Sequence, residues 1–440
     1  MRDDVVAFMG IGCYREPSGI TRAIQILIDH LASRAVLVVD DLDALRTHPI
    51  RKGHLYKFRK LGSKKFRLFR EPYKLTSDVI HSLIDTFRIL SNERVHRICC
   101  NSVYQFRALA PLLILIRFLR QDIKISVLIY DPSEVAWCQE NLLIKLLLGS
   151  RFTTDIVTVD TSMQQLIEPF SKATPIHVLN FGVSFDVLGR AHEALRAIRG
   201  RVGPNVPHML SKEGDSVILL FYGRIIPRRR LEDLIVAFSS LLKTCTKKIV
   251  LYVGGYTHED VPYLTKLKVL AAELKCYDQT RFFGTLTSDE LAYLYHCCDI
   301  FVFPAVQQPW GLAPLEAMAF GKPVIITDGC GLAAVLKPRG LALVAEGRNS
   351  DDLAEKIESL VNDEHRRHDL GEAGRAFVEQ NLTYENTGVQ LEKFWRVKSG
   401  AASHSRSLRK PKKNQVSSLT ANQPGHTSTG ALAILNVSSF

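Results

Sequence analysis

Residues 301–327 combine the side-chain types and the spacing that a phosphate-bearing, hydroxylated ligand requires. The pattern FVFPAVQQPWGLAPLEAMAFGKPVIIT predicts a buried strand, a loop carrying Gln308 and Trp310, a helix that begins at Gly311, and a second buried strand. In a parallel sheet, the carboxyl end of a strand and the start of the next helix form an anion-binding site. Glu316 lies about one and a half turns into this helix, so its carboxylate can point into the same crevice. The alternative is an ordinary solvated helix carboxylate.

A second group of candidate residues follows the apolar strand at 217–222. Gly223 ends this strand, and Arg224 and Arg229 come after it. A glycine here lets a ligand approach the backbone closely, and two guanidinium groups can bind the oxygens of a diphosphate. Cations are unfavourable beside the positive start of a helix unless an anion shares the site. The spacing leaves two interpretations open, a diphosphate site or a basic helix start.

These residues resemble the donor-site signature of the retaining GT-B glycosyltransferases of family 4, the glycogen synthase-like or group 1 enzymes. That signature places two acidic residues eight positions apart; in this chain the second is Glu316, and Gln308 occupies the first position. The family has an arginine, a lysine and a glycine where this chain has Arg224, Arg229 and Arg230. Arg229 keeps the positive charge of the lysine. Its guanidinium can form a bidentate hydrogen bond, whereas a lysine ammonium is a point charge.

Two further positions carry the resemblance in the first half of the chain. The family usually ends one strand with a histidine next to an acid; here Tyr130 precedes Asp131. The loop at Gly19 resembles the small-residue loop that lies against the donor phosphates and the acceptor. A glycine before a helix is also ordinary turn chemistry, which is the alternative for this position.

The resemblance implies both a fold and a function. The fold is α/β, with two Rossmann-like parallel-sheet domains (GT-B), a cleft between them and a disordered basic C-terminal tail. The function is transfer of a sugar from a nucleotide-diphosphate donor to an acceptor hydroxyl with retention, in polysaccharide or glycolipid synthesis, with no metal ion and no cofactor beyond the nucleotide-sugar co-substrate. The implied catalytic residues are Arg224, Arg229 and Gln308. The implied substrate-binding residues are Gly19, Tyr130, Gly223, Trp310, Gly311, Leu312, Ala313 and Glu316.

In this mechanism the arginines and the backbone N–H groups of residues 311–313 stabilise the charge that builds on the departing diphosphate. Glu316 accepts hydrogen bonds from the ribose hydroxyls, and Gln308 meets hydroxyls of the transferred sugar. Gln308 and Tyr130 both depart from the family pattern near the sugar. A catalytically silent nucleotide-binding relative or scaffold therefore stays open as a second function class.

Length and element order predict the domain organisation. A chain of 440 residues suits two domains and a tail, and strands alternate with helices throughout. We place an N-terminal, acceptor-side domain at 1–200 and a nucleotide-sugar-binding domain at 201–380. A helix at 381–397 crosses back to the first domain, as in the resembled fold. Residues 398–440, rich in Ser, Asn, Gln and basic residues, are predicted to be disordered.

The net charge of +12 is concentrated in two segments. Residues 51–74 carry +9 and residues 398–440 carry +6, which leaves −3 for the rest of the chain. Aromatic residues alternate with the basic ones in 51–74. This pattern suits a solvated surface, an anionic membrane surface or a nucleic acid. The membrane fits an acceptor that sits in a bilayer, whereas no recognised nucleic-acid reader module is present and no nucleic acid is expected.

The cysteines and the apolar runs indicate the compartment. Nine cysteines lack the spacing of metal ligands, which indicates free thiols in a reducing environment. No apolar run approaches the roughly 20 residues of a membrane span, and the N-terminus lacks the shape of a signal peptide. We expect a cytoplasmic protein, peripheral at the inner face of the membrane.

Overall fold

Two parallel β-sheets form the framework of the protein, as the sequence predicts. The structure, a computed structural model, describes residues 5–9, 28, 31, 34–39, 53–57, 95–183, 216–256 and 261–396. Both sheets lie in one compact unit, residues 1–398. The predictions for Gly19, for 58–74 within the basic segment and for the tail at 398–440 fall outside the described residues.

The first sheet has seven strands in the order β3-β2-β1-β4-β5-β6-β7, all parallel. The strands are β1 (Val5–Met9), β2 (Arg34–Val39), β3 (Gly53–Lys57), β4 (Val95–Cys100), β5 (Lys124–Ile129), β6 (Asp155–Thr158) and β7 (Ile176–Val178). The described helices between them are α1 (Val103–Leu119), α2 (Pro132–Glu140), α3 (Leu142–Leu148) and α4 (Thr161–Ile167), followed by a 3-10 turn at Glu168–Phe170.

The second sheet has six parallel strands in the order β10-β9-β8-β11-β12-β13. The strands are β8 (Val217–Tyr222), β9 (Ile249–Gly254), β10 (Thr280–Phe282), β11 (Ile300–Phe303), β12 (Val324–Thr327) and β13 (Leu343–Ala345). The helices are α5 (Leu231–Thr244), α6 (Val261–Glu273), α7 (Ser288–Cys297), α8 (Leu312–Ala319), α9 (Leu332–Leu336), α10 (Ser350–Asn362) and α11 (Glu364–Asn381), and 3-10 turns lie at Pro227–Arg229 and Lys337–Arg339.

The central strands of the second sheet are buried along their whole length. β8 reads VILLFY and β9 reads IVLYVG, and every residue of both is buried. Near-continuous apolar strands are typical of parallel sheets with both faces covered by helices. In these strands of the second sheet, polar side chains appear where the strands end, whereas the first sheet contains the buried Arg97 of β4 paired with Asp155 of β6.

The strand order places the candidate loops side by side. In the second sheet the order reverses between β8 and β11, which are neighbours. Ligands of open α/β sheets bind at the carboxyl ends of the strands at such a reversal point. The loop after β8 carries Gly223 to Arg229, and the loop after β11 carries Gln308, so topology alone brings these residues to one place.

A last helix, α12 (Tyr384–Arg396), packs on the first sheet domain. The N–H of Gly182 donates to the hydroxyl of Thr387 at 3.0 Å, and the ring of Phe394 stacks on His177 with centroids 4.6 Å apart. The chain thus returns to the first domain after completing the second, as the resemblance implied. None of the helices in the described residues is long and apolar enough to cross a membrane.

Candidate active site

Glycines bring the ends of β8 and β9 into backbone contact. Gly223 N–H donates to the carbonyl of Gly254 at 3.1 Å, and a Cβ on Gly255, whose φ is +139°, would lie 1.7 Å from the Gly223 oxygen. A Cβ on Gly223 itself would meet only ring carbons at 3.5 Å and beyond, which is ordinary contact. Protein packing therefore does not require glycine at this strand end, and close approach of a ligand stays the predicted reason for it.

Arg229 is a buried cation without a matching anion. Its side chain is 7% exposed, and its guanidinium lies 5.1 Å from the ring centroid of Phe303. One Nη donates to Gln308 Oε1, while Nε–H has no partner among the described residues. Burial first, and then the charges of Arg228 and Arg224, lower the pKa of Arg229 to about 9. Buried charges are normally paired, so this site is suited to an anionic ligand.

Arg228, which the sequence did not single out, forms an ion pair across the two domains. Its Nη1 lies 2.9 Å from Oδ2 of Asp131, at the start of α2 in the first domain. Burial opposes ionisation of Asp131, but the Ser133 N–H and the Arg228 charge outweigh it and lower the pKa of the carboxyl. Arg228 is therefore used in the contact between the domains, and Arg229 is the guanidinium whose Nε–H has no partner among the described residues.

Arg230 takes the place of the family's glycine in a backbone conformation that favours glycine. Its φ is 52° and its ψ 42°, in the left-handed region, at the start of α5. That conformation costs an ordinary residue roughly 1–2 kcal/mol. The side chain turns back to pair with Glu232 at 2.7 Å and Asp233 at 2.7 Å, which holds the residue in place. Arg230 therefore serves the helix start rather than the ligand.

Gln308 is fixed by backbone bonds that extend the sheet. Its N–H donates to the Gly329 carbonyl at 3.0 Å, and its carbonyl accepts from Gly331 N–H at 2.7 Å. Its side-chain carbonyl accepts from Arg229. The sequence-based expectation gave Gln308 a contact with the sugar; the structure shows that its amide oxygen orients the arginine.

The indole N–H of Trp310, a residue predicted to bind substrate, forms a hydrogen bond within the protein. The indole N–H donates to the Phe181 carbonyl at 2.8 Å, and the side chain is 4% exposed. Tyr130 packs edge-on against the ring of Phe181, with centroids 5.7 Å apart, and is itself buried. Both aromatic side chains are used in packing where the two domains meet. Their shared partner, Phe181, belongs to a distant segment of the chain, so local sequence patterns do not reveal these contacts.

The start of α8 presents backbone donors that the helix itself does not satisfy. Gly311 precedes the helix with φ +142°, and no side chain caps it. The first N–H groups of a helix, here including Leu312 and Ala313, have no partner within the helix itself. Gly311 also lies close to Cys330, since a Cβ there would be 3.2 Å from the sulfur. This stretch keeps the donors that the diphosphate prediction needs.

Glu316 lies one turn further along α8 and is held by a buried phenol. Tyr295 donates its hydroxyl proton to Glu316 Oε2 at 3.0 Å. Burial, and then the Glu316 charge, raise the pKa of Tyr295 well above its usual value, so the phenol stays a donor. Glu316 is only partly buried, and with one oxygen fixed the carboxylate has a defined orientation at the ligand crevice.

A buried carboxylate that sequence reasoning missed organises the facing edge of the first domain. Glu134 accepts from the N–H groups of Tyr130 at 2.9 Å and Val103 at 3.3 Å. Burial raises the pKa of its carboxyl to about 7. Glu134 also completes a capping box with Asp131 at the start of α2. The Asp-Pro-Ser-Glu spacing was the available signal, since an acid three residues after a cap is typical of this motif.

Comparisons with known proteins agree with this geometry. The family model described as "Glycosyl transferases group 1" matches residues 207–377, which contain the whole second sheet. A GDP-mannose-dependent alpha-(1-6)-phosphatidylinositol monomannoside mannosyltransferase of Mycobacterium tuberculosis is 26% identical over 60% of this chain and 67% of its own length. D-inositol 3-phosphate glycosyltransferase 2 of Catenulispora acidiphila is 35% identical over 36% of this chain, and the chain spans only 38% of that relative.

Solved structures match over nearly the whole chain. A glycosyltransferase from Rickettsia africae superposes with a TM-score of 0.67 and 16% identity, covering 90% of this chain and 98% of the other. HepE of Anabaena, solved in complex with UDP, gives a TM-score of 0.67 at 15% identity, covering 89% and 99%. At such identities the likeness shows the fold. Residues 207–377 therefore form a domain of the glycosyl transferases group 1 family, and the two parallel-sheet domains have the GT-B fold.

Proposed function

We propose that the protein transfers a sugar from a nucleotide-diphosphate donor to an acceptor hydroxyl, with retention of anomeric configuration. The observation that carries the proposal is Arg229, a buried guanidinium with an unpartnered Nε–H at the reversal point of the second sheet. A relative named as a GDP-mannose-dependent mannosyltransferase supports the donor class. A structural neighbour solved with UDP-glucose supports it as well.

Each residue of the site has a physical role in the proposed reaction. The difficult event is departure of the nucleoside diphosphate as negative charge builds on its oxygens. Arg224, Arg229 and the N–H groups at the start of α8 are fixed donors for that charge, and fixed donors need no reorganisation during the reaction. Glu316 accepts from the ribose hydroxyls. Neither a metal ion nor a cofactor beyond the nucleotide sugar enters this scheme.

The acceptor is proposed to be a carbohydrate or a lipid-linked hydroxyl compound, in polysaccharide or glycolipid synthesis. The relative that acts on a phosphatidylinositol monomannoside, by its name, supports the lipid-linked class. The acceptor would bind on the side of the first domain, whose strands β4 and β5 end opposite the donor loops. We place this activity in the cytoplasm at the inner face of the membrane, since the eight cysteines of the described residues are free thiols.

A silent nucleotide-binding relative is the second candidate, and one observation favours it. The acid of the family pattern is absent at Gln308, and the remaining amide oxygen is already engaged by Arg229. The sugar end of the site therefore lacks a negative charge of its own, although the diphosphate end is complete. Such a protein would bind nucleotides and transfer nothing.

A donor screen tests the proposal and separates the two candidates. Nucleoside diphosphates, UDP-glucose and GDP-mannose are titrated calorimetrically, and slow hydrolysis of each bound donor is followed by release of the diphosphate. We expect binding of one nucleotide series with measurable hydrolysis. Binding of the donor with no hydrolysis and no transfer would favour the second candidate, a catalytically silent nucleotide-binding relative.

The matched variants are R229M and R281M. R229M removes the buried cation and should abolish binding, whereas R281M removes a cation from β10, at the far edge of the sheet. No binding of any nucleotide by the parent protein, or equal losses in the two variants, would contradict the proposal.

A further inference from the structure

The helices beside β4, β5 and β6 carry a dense group of exposed apolar side chains. Within the described residues, fourteen large apolar side chains are strongly exposed, and eight of these lie between residues 104 and 146. Phe118 is 77% exposed and Leu142 is 71% exposed. The other six are spread over the chain from residue 166 to residue 389. Single exposed apolar side chains are normal, but a concentration on neighbouring helices marks an interaction surface.

Chain topology brings these side chains together. α1 joins β4 to β5, α2 and α3 join β5 to β6, and the three strands are neighbours in the sheet. Right-handed crossovers place both connections on the same face of the sheet. The rings of Tyr104 in α1 and Trp137 in α2 are in contact, with centroids 5.4 Å apart. The second half of α1 and all of α3 therefore lie on the same face of the first sheet, and we call their exposed residues the apolar face. Its members are Ile114, Leu115, Phe118, Leu142, Leu143 and Leu146.

The sequence of α3, LLIKLLL, shows that this exposure is unusual. Ile144 and Leu148 are buried against the domain, while Leu142, Leu143 and Leu146 point to solvent. An ordinary surface helix carries polar residues on its outer side, and a helix that is apolar all round is normally enclosed. α3 is apolar on both sides, so burial of its outer leucines in an apolar environment outside the domain is favourable.

Basic residues exceed acidic ones around the apolar face. Residues 114–124 and 140–151, which carry the apolar face and its flanks, contain the basic residues Arg117, Arg120, Lys124, Lys145 and Arg151 and the acidic residues Asp122 and Glu140. Arg120 pairs with Asp122 at 2.8 Å, and a surplus of basic residues remains. In a two-fold dimer each of these charges would meet the same surface of a second copy, so the surplus would repel itself. An anionic lipid surface supplies both an apolar interior for the leucines and opposite charge for the basic rim.

We propose that the apolar face docks on the headgroup region of an anionic lipid bilayer. Leucine and phenylalanine side chains enter the boundary between headgroups and acyl chains, while Lys145 and Arg151 keep their charged ends at the lipid phosphates. This surface is formed by residues 114–146, which lie outside the basic segment 51–74 in the sequence. Its binding can be measured without any sugar transfer, so failure of the proposed function would leave it intact.

Vesicle sedimentation tests the proposal with the full chain. Vesicles of phosphatidylcholine mixed with phosphatidylglycerol are compared with vesicles of phosphatidylcholine alone. We expect binding to the mixed vesicles that weakens as salt is raised. The triple variant L142Q/L143Q/L146Q should lower the partition coefficient by a factor on the order of a hundred, since three exposed leucines lose their apolar transfer. The double variant K145Q/R151Q should lower binding and flatten its salt dependence.

The matched control is V261Q/V269Q, which removes two exposed apolar side chains from α6 in the other domain. It should bind vesicles as the parent does. Equal losses in the control and in the leucine variant, or absence of salt-sensitive binding by the parent, would overturn the proposal. So would a parent dimer that the leucine variant converts to monomer without any vesicle binding. A lowered melting temperature of the leucine variant would also overturn it, because the leucines would then be covered by the chain itself.

Discussion

Replacing Gln308 by glutamate tests the electrostatics of the candidate site most directly, because it changes one charge and restores the acid of the family pattern. Arg229 is 7% exposed, and its guanidinium donates to Gln308 Oε1. With a neutral amide as its acceptor, the cation keeps its whole charge for a ligand. A carboxylate at the same place would pair with Arg229 and would also face the diphosphate.

The magnitude follows from Coulomb's law. Two unit charges roughly 8 Å apart interact by ~2 kcal/mol at an effective dielectric constant of about 20. Repulsion of that size between the new carboxylate and a bound diphosphate corresponds to roughly thirtyfold in Kd. The same carboxylate would offer negative charge to an oxocarbenium-like sugar in the transition state. We therefore expect Q308E to bind the nucleoside diphosphate about ten to a hundred times more weakly and to have a higher kcat.

The assay pairs calorimetric titration of the nucleoside diphosphate with steady-state transfer or donor hydrolysis. The control is Q307E, which adds the same charge on the neighbouring residue, whose side chain is exposed. Unchanged diphosphate affinity in Q308E, or an equal loss in Q307E, would refute the view that Gln308 leaves the Arg229 charge available.

Three further predictions concern the nucleotide, the pH and the domain contact. E316A should weaken diphosphate binding by about tenfold or more, because hydrogen bonds to a charged group contribute roughly 1.5–3 kcal/mol; Y295F should weaken it less, and calorimetric titration compares the two. The pKa of Glu134 is raised to about 7 by burial from its ordinary 4.5, so the folded state binds more protons than the unfolded state between these values. Stability should therefore fall by ~3 kcal/mol as pH rises through that window, and denaturant unfolding of E134Q should lack this slope. W310F leaves the Phe181 carbonyl without its donor and should cost roughly 1–3 kcal/mol in thermal unfolding, with nucleotide affinity unchanged. A loss of nucleotide affinity in W310F without a loss of stability would instead support the predicted contact between Trp310 and substrate.

The parts of the site that could be predicted are those set by local pattern and sheet topology. Apolar strands alternating with helices indicate a parallel sheet, and the carboxyl ends of neighbouring strands must meet at one edge. The loops carrying Gly223, Arg229 and Gln308 therefore lie close together as a result of the sheet topology, independently of their side-chain contacts. The position of Glu316 follows in the same way, from the periodicity of a helix whose start was visible in the sequence.

The contacts that could not be predicted join residues far apart in the chain. Arg228 pairs with Asp131 across 97 residues, and Trp310 bonds to Phe181 across 129 residues. No local pattern distinguishes Arg228 from the two arginines that follow it. The backbone does distinguish them, since a 3-10 turn ending in a left-handed residue points successive side chains in different directions.

The domain contacts arise from the same short segments that hold the donor site. Arg228 adjoins Arg229, and Trp310 lies two residues after Gln308. The Arg228–Asp131 pair is partly solvated, with its side chains 25% and 28% exposed, and such pairs are worth about 0–1 kcal/mol. The buried indole bond is costlier to break, because it would leave a carbonyl unsatisfied. A ligand shifts a conformational equilibrium only through its different affinity for the two states. A bound diphosphate that attracts Arg229 therefore needs little free energy to break the neighbouring Arg228–Asp131 ion pair. We expect the two domains to rearrange about the Trp310 contact while that contact persists.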